Sequence, residues 1–183
     1  MMATTKRRAL EAGLELLGEH GIRALTHARV DERAGLPKGS TSNWSRTREA
    51  LIAGLVSFLA ESEREDFAAA ALPAIDTPEQ LVEALCGMIA VETGQFAGRT
   101  RARFSLFLEG AGDPGLLEPL LAQRRAYVEW TTSLLARVGA RSPGDAVRAL
   151  MATGDGLVLH RVTVDPDAEI RPVIERAVRA CME

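Results

Sequence analysis

The stretch from Thr26 to Leu51 constrains this chain more than any other. It reads Thr-His-Ala-Arg-Val-Asp-Glu-Arg-Ala-Gly-Leu-Pro-Lys-Gly-Ser-Thr-Ser-Asn-Trp-Ser-Arg-Thr-Arg-Glu-Ala-Leu. Thr26 is an N-cap for a short helix. That helix stops at Gly35, because glycine readily takes the left-handed conformation past a helix end. Leu36-Pro37 bridges to a second short helix over about Lys38 to Trp44, and Thr47 caps a longer one. Two short helices around a glycine turn are the layout of a helix-turn-helix.

The second short helix, Lys38-Gly39-Ser40-Thr41-Ser42-Asn43-Trp44, is too polar to line a core. Small hydroxyl residues permit close approach to a groove. Ser, Thr and Asn bond phosphate oxygens or base edges, and Asn pairs bidentately with adenine. Lys38 and Gly39 stand at its start, where free backbone N–H groups and the helix dipole favour a phosphate. Arg46 and Arg48 come next in the chain. The plain alternative is a polar surface turn between two structural helices.

The rest of the chain reads as all-α. Its 183 residues are rich in Ala, Leu, Arg and Glu, and aromatics make up only 4%, which disfavours a sheet protein. Leu10, Leu14 and Leu17 mark the apolar face of a first helix over about Thr5 to His20, stopped by Gly21. The helix capped by Thr47 is expected to reach about Ala71, before Pro73. Thr77-Pro78-Glu79-Gln80 is a capping-box start for a helix running to near Gly98. Further helices are expected over Thr100 to Gly110, from Pro119 to near Gly139 after a segment that Asp113-Pro114 starts, from Ser142-Pro143 to Arg161, and over Ile170 to Cys181. That makes about nine.

Charge is unevenly spread. Residues 1–48 hold nine basic and five acidic side chains, a net of +4, and the remainder thirteen and twenty, a net of −7. A basic head on an acidic body suits one phosphate-binding end. Cys86 and Cys181 form neither a metal spacing nor a disulfide framework, which points to a reducing cytoplasm. No secretory leader or membrane-length apolar run is visible. His20, His27 and His160 are scattered, and the acidic run Glu61, Glu63, Glu65, Asp66 reads as a solvated face. No catalytic, metal or cofactor motif stands out.

Residues Thr5 to Leu55 resemble the DNA-binding head of the TetR family of bacterial regulators. The family pattern runs Ala-Gly-Val-Ser-Lys-Gly-Thr-Leu-Tyr-X-X-Phe-X-Ser-Lys-Glu-X-Leu. Here Ala34-Gly35-Leu36-Pro37-Lys38-Gly39-Ser40 aligns without a gap, and Thr47-Arg48-Glu49-Ala50-Leu51 matches its end. Two departures stand out: the family's Tyr is Ser42, and its Phe is Ser45, with Trp44 next door as a substitute for the lost packing. The resemblance implies that Thr26, Lys38 and Arg48 hold phosphates. It implies that Ser40, Thr41 and Asn43 face bases, with Ser42, Gly39 and Trp44 completing the interface.

The resemblance also implies a division into a three-helix head, residues 1–48, and a larger helical body, residues 49–183, for ligand binding and dimerisation. The last two helices would pair with those of a second subunit. Thr153-Gly154-Asp155-Gly156 puts glycines inside a helix, where each costs about 1 kcal/mol. A close approach across an interface would account for them, and so would a kink around a pocket. Leu150, Gly154, Leu157, Val158, Val173, Ile174 and Val178 are the candidate dimer surface. Phe58, Met88, Phe104, Phe107, Tyr127, Trp130, Met151 and Asp155 are the candidate pocket, though bulky residues at helical spacing also fit an ordinary core. Arg103 and Glu109 are further polar groups on otherwise apolar helices.

The expectation is a cytoplasmic, homodimeric, ligand-responsive regulator. It would repress from a palindromic double-stranded DNA operator and be released by a small-molecule effector. Two other classes remain open: an adaptor whose helix-turn-helix meets protein, and a helical enzyme with a vestigial head.

Overall fold

The computed structural model describes residues 2–70 and 73–183, all of them helical or irregular. The helices are α1 (Met2–His20), α2 (His27–Arg33), α3 (Arg48–Ala69), α4 (Pro78–Thr93), α5 (Ala97–Glu109), α6 (Pro114–Arg137), α7 (Pro143–Thr163) and α8 (Arg171–Met182). Two short 3-10 turns, Ile22–Ala24 and Thr41–Asn43, lie in the head. The expected limit of α3 at Ala71 falls outside the described residues.

Local signals explain most helix ends. Gly21 takes φ 72° and its N–H closes α1 on the Leu17 carbonyl at 2.9 Å. At α4 the Thr77 hydroxyl accepts the Gln80 N–H at 3.3 Å, and the Gln80 carboxamide accepts the Thr77 N–H at 3.1 Å. This reciprocal cap satisfies two donors that a helix start leaves orphaned.

Two elements differ from the sequence expectation. Helix α6 begins at Pro114, not Pro119, because Asp113 caps it: its carboxylate accepts the Leu116 N–H at 3.1 Å. Pro119 therefore sits inside the helix, where it removes one backbone donor. The expected helix over Lys38 to Trp44 is only the 3-10 turn Thr41–Asn43. Gly39 at φ 90° is itself outside helical geometry, so no helix runs through it from Lys38.

The chain divides into two compact units. One comprises α1, α2 and α3 with Gly98–Gln123. Its core is built on Leu17, Leu25, Leu51, Leu55, Leu59 and Leu106, all essentially inaccessible. Burying each such side chain stabilises by roughly 1.5–3 kcal/mol before entropy is counted. The whole of α3 packs in this unit, so the packing does not change hands at residue 48. Here α1 and the first turn of α5 approach unusually closely. A methyl placed on Gly18 would collide with the Gly98 carbonyl, and Arg101 Nε donates to the Gly18 carbonyl at 2.8 Å.

The other unit holds residues 73–97 and Arg124–Glu183. In it α4, α7 and α8 pack together, burying Leu81, Leu85, Leu150, Val158, Ile174 and Val178. Arg161 ties this packing by donating to the Thr93 hydroxyl at 2.9 Å and to the Ala168 carbonyl. Arg171 pairs with Glu83 between α8 and α4.

Candidate nucleic-acid interface

The head is assembled around α2. Thr26, extended at φ −133°, accepts the Arg29 N–H on its hydroxyl at 3.3 Å. At the other end Gly35 takes φ 61°. The Leu36 N–H then reaches the Asp31 carbonyl at 2.8 Å and the Gly35 N–H the Glu32 carbonyl at 3.1 Å, a Schellman ending. From α1, Arg8 donates to the Ala34 carbonyl at 2.6 Å, while Glu15 and Glu19 accept Arg33 at 3.3 and 2.5 Å. The bond from Arg33 holds the Glu19 carboxyl below the usual carboxylate range.

Asp31 shapes the turn between α2 and α3. The residue is only 3% exposed. Oδ2 accepts the Gly39 N–H at 2.7 Å, and Oδ1 accepts both the Thr41 N–H at 2.8 Å and the Thr41 hydroxyl at 2.6 Å. Buried carboxylates need such donors to offset desolvation. The Ser40 hydroxyl folds back on the Pro37 carbonyl at 2.6 Å. Sequence reasoning missed Asp31. Its partners are mainly backbone amides, which no residue pattern advertises.

Behind the turn, Ser45 is buried and its carbonyl accepts His27 Nε2–H at 2.7 Å. Trp44 packs half-buried against the core, as expected of a substitute for the missing Phe, with Lys6 Nζ 5.4 Å from its ring centre. Its indole Nε1 is buried without a partner.

The sequence-derived interface residues therefore separate. Thr26, Lys38, Ser42 and Asn43 are exposed, and Ser40 is half-exposed, with Arg29 and Arg46 exposed nearby. Thr41 does not face outward: it is fully buried, and its hydroxyl is spent on Asp31. The Gly39 N–H is not free for a phosphate, for the same reason. Trp44 offers packing rather than an open ring. Arg48 is engaged by Glu109 of α5 at 3.0 Å and by the Ile22 carbonyl at 3.3 Å.

The structure divides the candidate dimer surface. Leu150, Leu157, Val158, Ile174 and Val178 are buried within the subunit, because they form the inward stripes of α7 and α8. Gly154 is half-exposed with open space where a Cβ would stand, and Val173 is exposed. The outward stripe of α7 is instead Ala149, Ala152, Gly156, Leu159 and Thr163.

The candidate pocket residues do not form one cluster. Tyr127 stacks on Trp130 at 5.6 Å between ring centres, and its hydroxyl reaches the Met88 sulfur at 3.9 Å. Met151 is half-buried in the same unit. Asp155 is paired with Arg124 at 2.5 Å. Phe58 and Phe107 pack against the core of the first unit, and Phe104 lies under the Arg103 guanidinium at 5.8 Å. Arg103 also pairs with Glu63 at 3.2 Å. A cleft of about 390 Å³ in that unit includes Phe58, but most of the residues lining it are charged, Glu11, Glu65, Asp66 and Arg99 among them.

Among the described residues, no group of His, Cys, Asp and Glu converges as a metal site, and no helix is long and apolar enough to cross a membrane.

Residues 76–183 match the family described as Tetracyclin repressor-like, C-terminal domain. The chain is 30% identical over 111 residues to the HTH-type transcriptional regulator BetI of Rhizobium meliloti, covering 60% of this chain. The match spans about half of that relative, 54% of its length. A solved TetR-family member from Streptomyces coelicolor A3 superposes with TM-score 0.70 at 25% identity, covering 97% of this chain and 98% of that one. The multidrug binding protein EbrR, solved with ethidium, gives TM-score 0.67 at 26% identity, covering 96% of each chain. The chain belongs to the TetR family of transcriptional regulators.

Proposed function

We infer that this chain is a ligand-responsive, DNA-binding regulator of transcription, acting as a cytoplasmic homodimer and a repressor rather than as an enzyme. The observation that carries the reading is the Lys38–Asn43 turn. A buried carboxylate holds it, and it presents Lys38, Ser42 and Asn43 outward beside Arg29 and Arg46, with half-exposed Ser40 turned back on the Pro37 carbonyl. Lys and Arg supply phosphate attraction, while Ser and Asn suit base edges. Residues 1–48 carry these contacts in this reading, and residues 49–183 serve dimerisation and ligand binding.

The dimer is assigned to the outward stripe of α7, Ala149, Ala152, Gly156 and Leu159, with Val173 of α8. Small residues there allow two helices to approach closely. Two heads then meet successive major grooves of a palindromic operator, with half-site spacing fixed by the dimer. The effector is a small organic molecule, a class supported by the ethidium complex of the EbrR relative. Met88, Tyr127 and Trp130 are its proposed first contacts. The effector acts by binding better to the DNA-released arrangement than to the DNA-bound one. The Arg48–Glu109 pair is the proposed relay, since it ties α5 to the first residue of α3.

Selection of bound sequences from random duplex DNA tests this reading. An enriched palindrome, bound more weakly as salt rises, is the expected result. A folded dimer that enriches nothing would move the protein-binding adaptor to the front.

A further inference from the structure

The turn that reads DNA in this proposal is not an α-helix, so helical period does not aim its side chains. Over Lys38–Thr41 its shape rests on one carboxylate. Asp31 binds the Gly39 N–H, the Thr41 N–H and the Thr41 hydroxyl at 2.6–2.8 Å. Its own carbonyl meanwhile caps α2 through Leu36. One residue thus fixes both the end of α2 and the path of the next five residues. The TetR-family pattern has Leu where this chain has Thr41. An apolar side chain there could not make the hydroxyl bond, so that bond belongs to this chain's own residues, while the two backbone N–H bonds do not depend on the side chain at 41.

Resting on the DNA-binding reading, we propose that Asp31 is a positioning residue for sequence readout, its buried carboxylate clasping Gly39 and Thr41 so that Ser42 and Asn43 meet the bases in one register. Without the clasp, two backbone donors lose their partner inside the head. Gly39, at φ 90°, is then free to relax toward other conformations. Of the phosphate-binding cations, Arg29 and Arg46 lie outside the clasp and keep their places, while Lys38 belongs to the turn but keeps its charge. Base preference therefore depends on Asp31 more than electrostatic attraction does.

The test compares full-length wild type with Asp31→Asn, Thr41→Val and Thr41→Ser by random-duplex selection, operator titration at several salt concentrations, and thermal denaturation. Asp31→Asn opposes an amide N–H to at least one donor of the clasp. Thr41→Val is isosteric and removes only the hydroxyl bond, so it carries the test if Asp31→Asn does not fold. Thr41→Ser keeps the hydroxyl. The expected result is a flattened base preference and about tenfold weaker operator binding for Asp31→Asn, equivalent to losing one well-made base contact, and a smaller change in the same direction for Thr41→Val, each at a nearly unchanged salt slope. Thr41→Ser should select the wild-type sequence. A role in stability alone would lower the melting temperature and leave the selected sequence intact, which would overturn the proposal. So would a Thr41→Ser profile as flat as that of Thr41→Val. If wild type itself selects nothing, the DNA-binding reading fails and the proposal falls with it.

Discussion

The Lys38–Asn43 turn and the helix α7 each present a face outward, but different forces aim their side chains. In the turn, direction comes from three hydrogen bonds to Asp31 and a glycine at φ 90°. In α7, direction comes from helical period, with Val147, Leu150, Leu157 and Val158 inward and Ala149, Ala152, Gly156 and Leu159 outward. A helix face tolerates exchange of single residues, since the backbone ladder holds the rest. A turn held by one carboxylate does not. Binding specificity is thus expected to be fragile in the head, and oligomerisation robust except where the approaching helices are blocked.

The contrast between turn and helix can be broken at several points. The largest effect is expected beneath both faces. Leu55→Ala in the first unit and Ile174→Ala in the second should each cost about 2–5 kcal/mol in urea denaturation. Leu159→Arg, on the outward stripe of α7, should leave the subunit folded but weaken the dimer by roughly tenfold or more, about 1.4 kcal/mol. Analytical ultracentrifugation reads this, and an undisturbed dimer would remove the stripe from the interface.

Glycine substitutions sharpen the contrast. Gly39→Ala should destabilise by about 1 kcal/mol, since φ 90° strains any L side chain. Gly154→Ala has room for its methyl and should gain up to about 1 kcal/mol of helix propensity. Thermal midpoints should therefore move in opposite directions. Smaller still is Glu109→Gln, which unpairs Arg48 at a cost of at most about 1 kcal/mol. It should tighten operator binding a few-fold, and that gain should vanish in an Arg48→Ala background. The smallest effect concerns acid. Arg33 holds the Glu19 carboxyl down, so this pair contributes stability above the ordinary carboxylate range. That contribution is lost as pH falls through the lowered value. Glu19→Gln should flatten the acid limb of a stability–pH curve slightly, because the pair is solvent-exposed.

What the sequence made legible was local. Thr26, Gly35 and the Thr77–Gln80 box mark helix ends because a cap and its partners lie within a few residues of one another. Helical spacing also revealed that α7 and α8 are amphipathic. It could not say which stripe faces inward, and the bulkier one, Leu150, Leu157, Val158, Ile174 and Val178, is the subunit's own core. Arg48 looked free because its partner lies 61 residues away. Thr41 looked like a base reader because a hydroxyl does not disclose that it is turned toward a buried carboxylate. The pocket was least legible, since bulky residues serve cores and ligands alike.

The contact between Gly18 and Gly98 carries a mechanical consequence. Two backbones that touch without side chains between them leave no room for a rotamer change to absorb motion, and Arg101 fastens the same crossing. The start of α5 and the last turn of α1 are therefore geared together. A displacement at residue 98 is accordingly expected to be felt by the helix that carries Arg8 and Glu19 against α2.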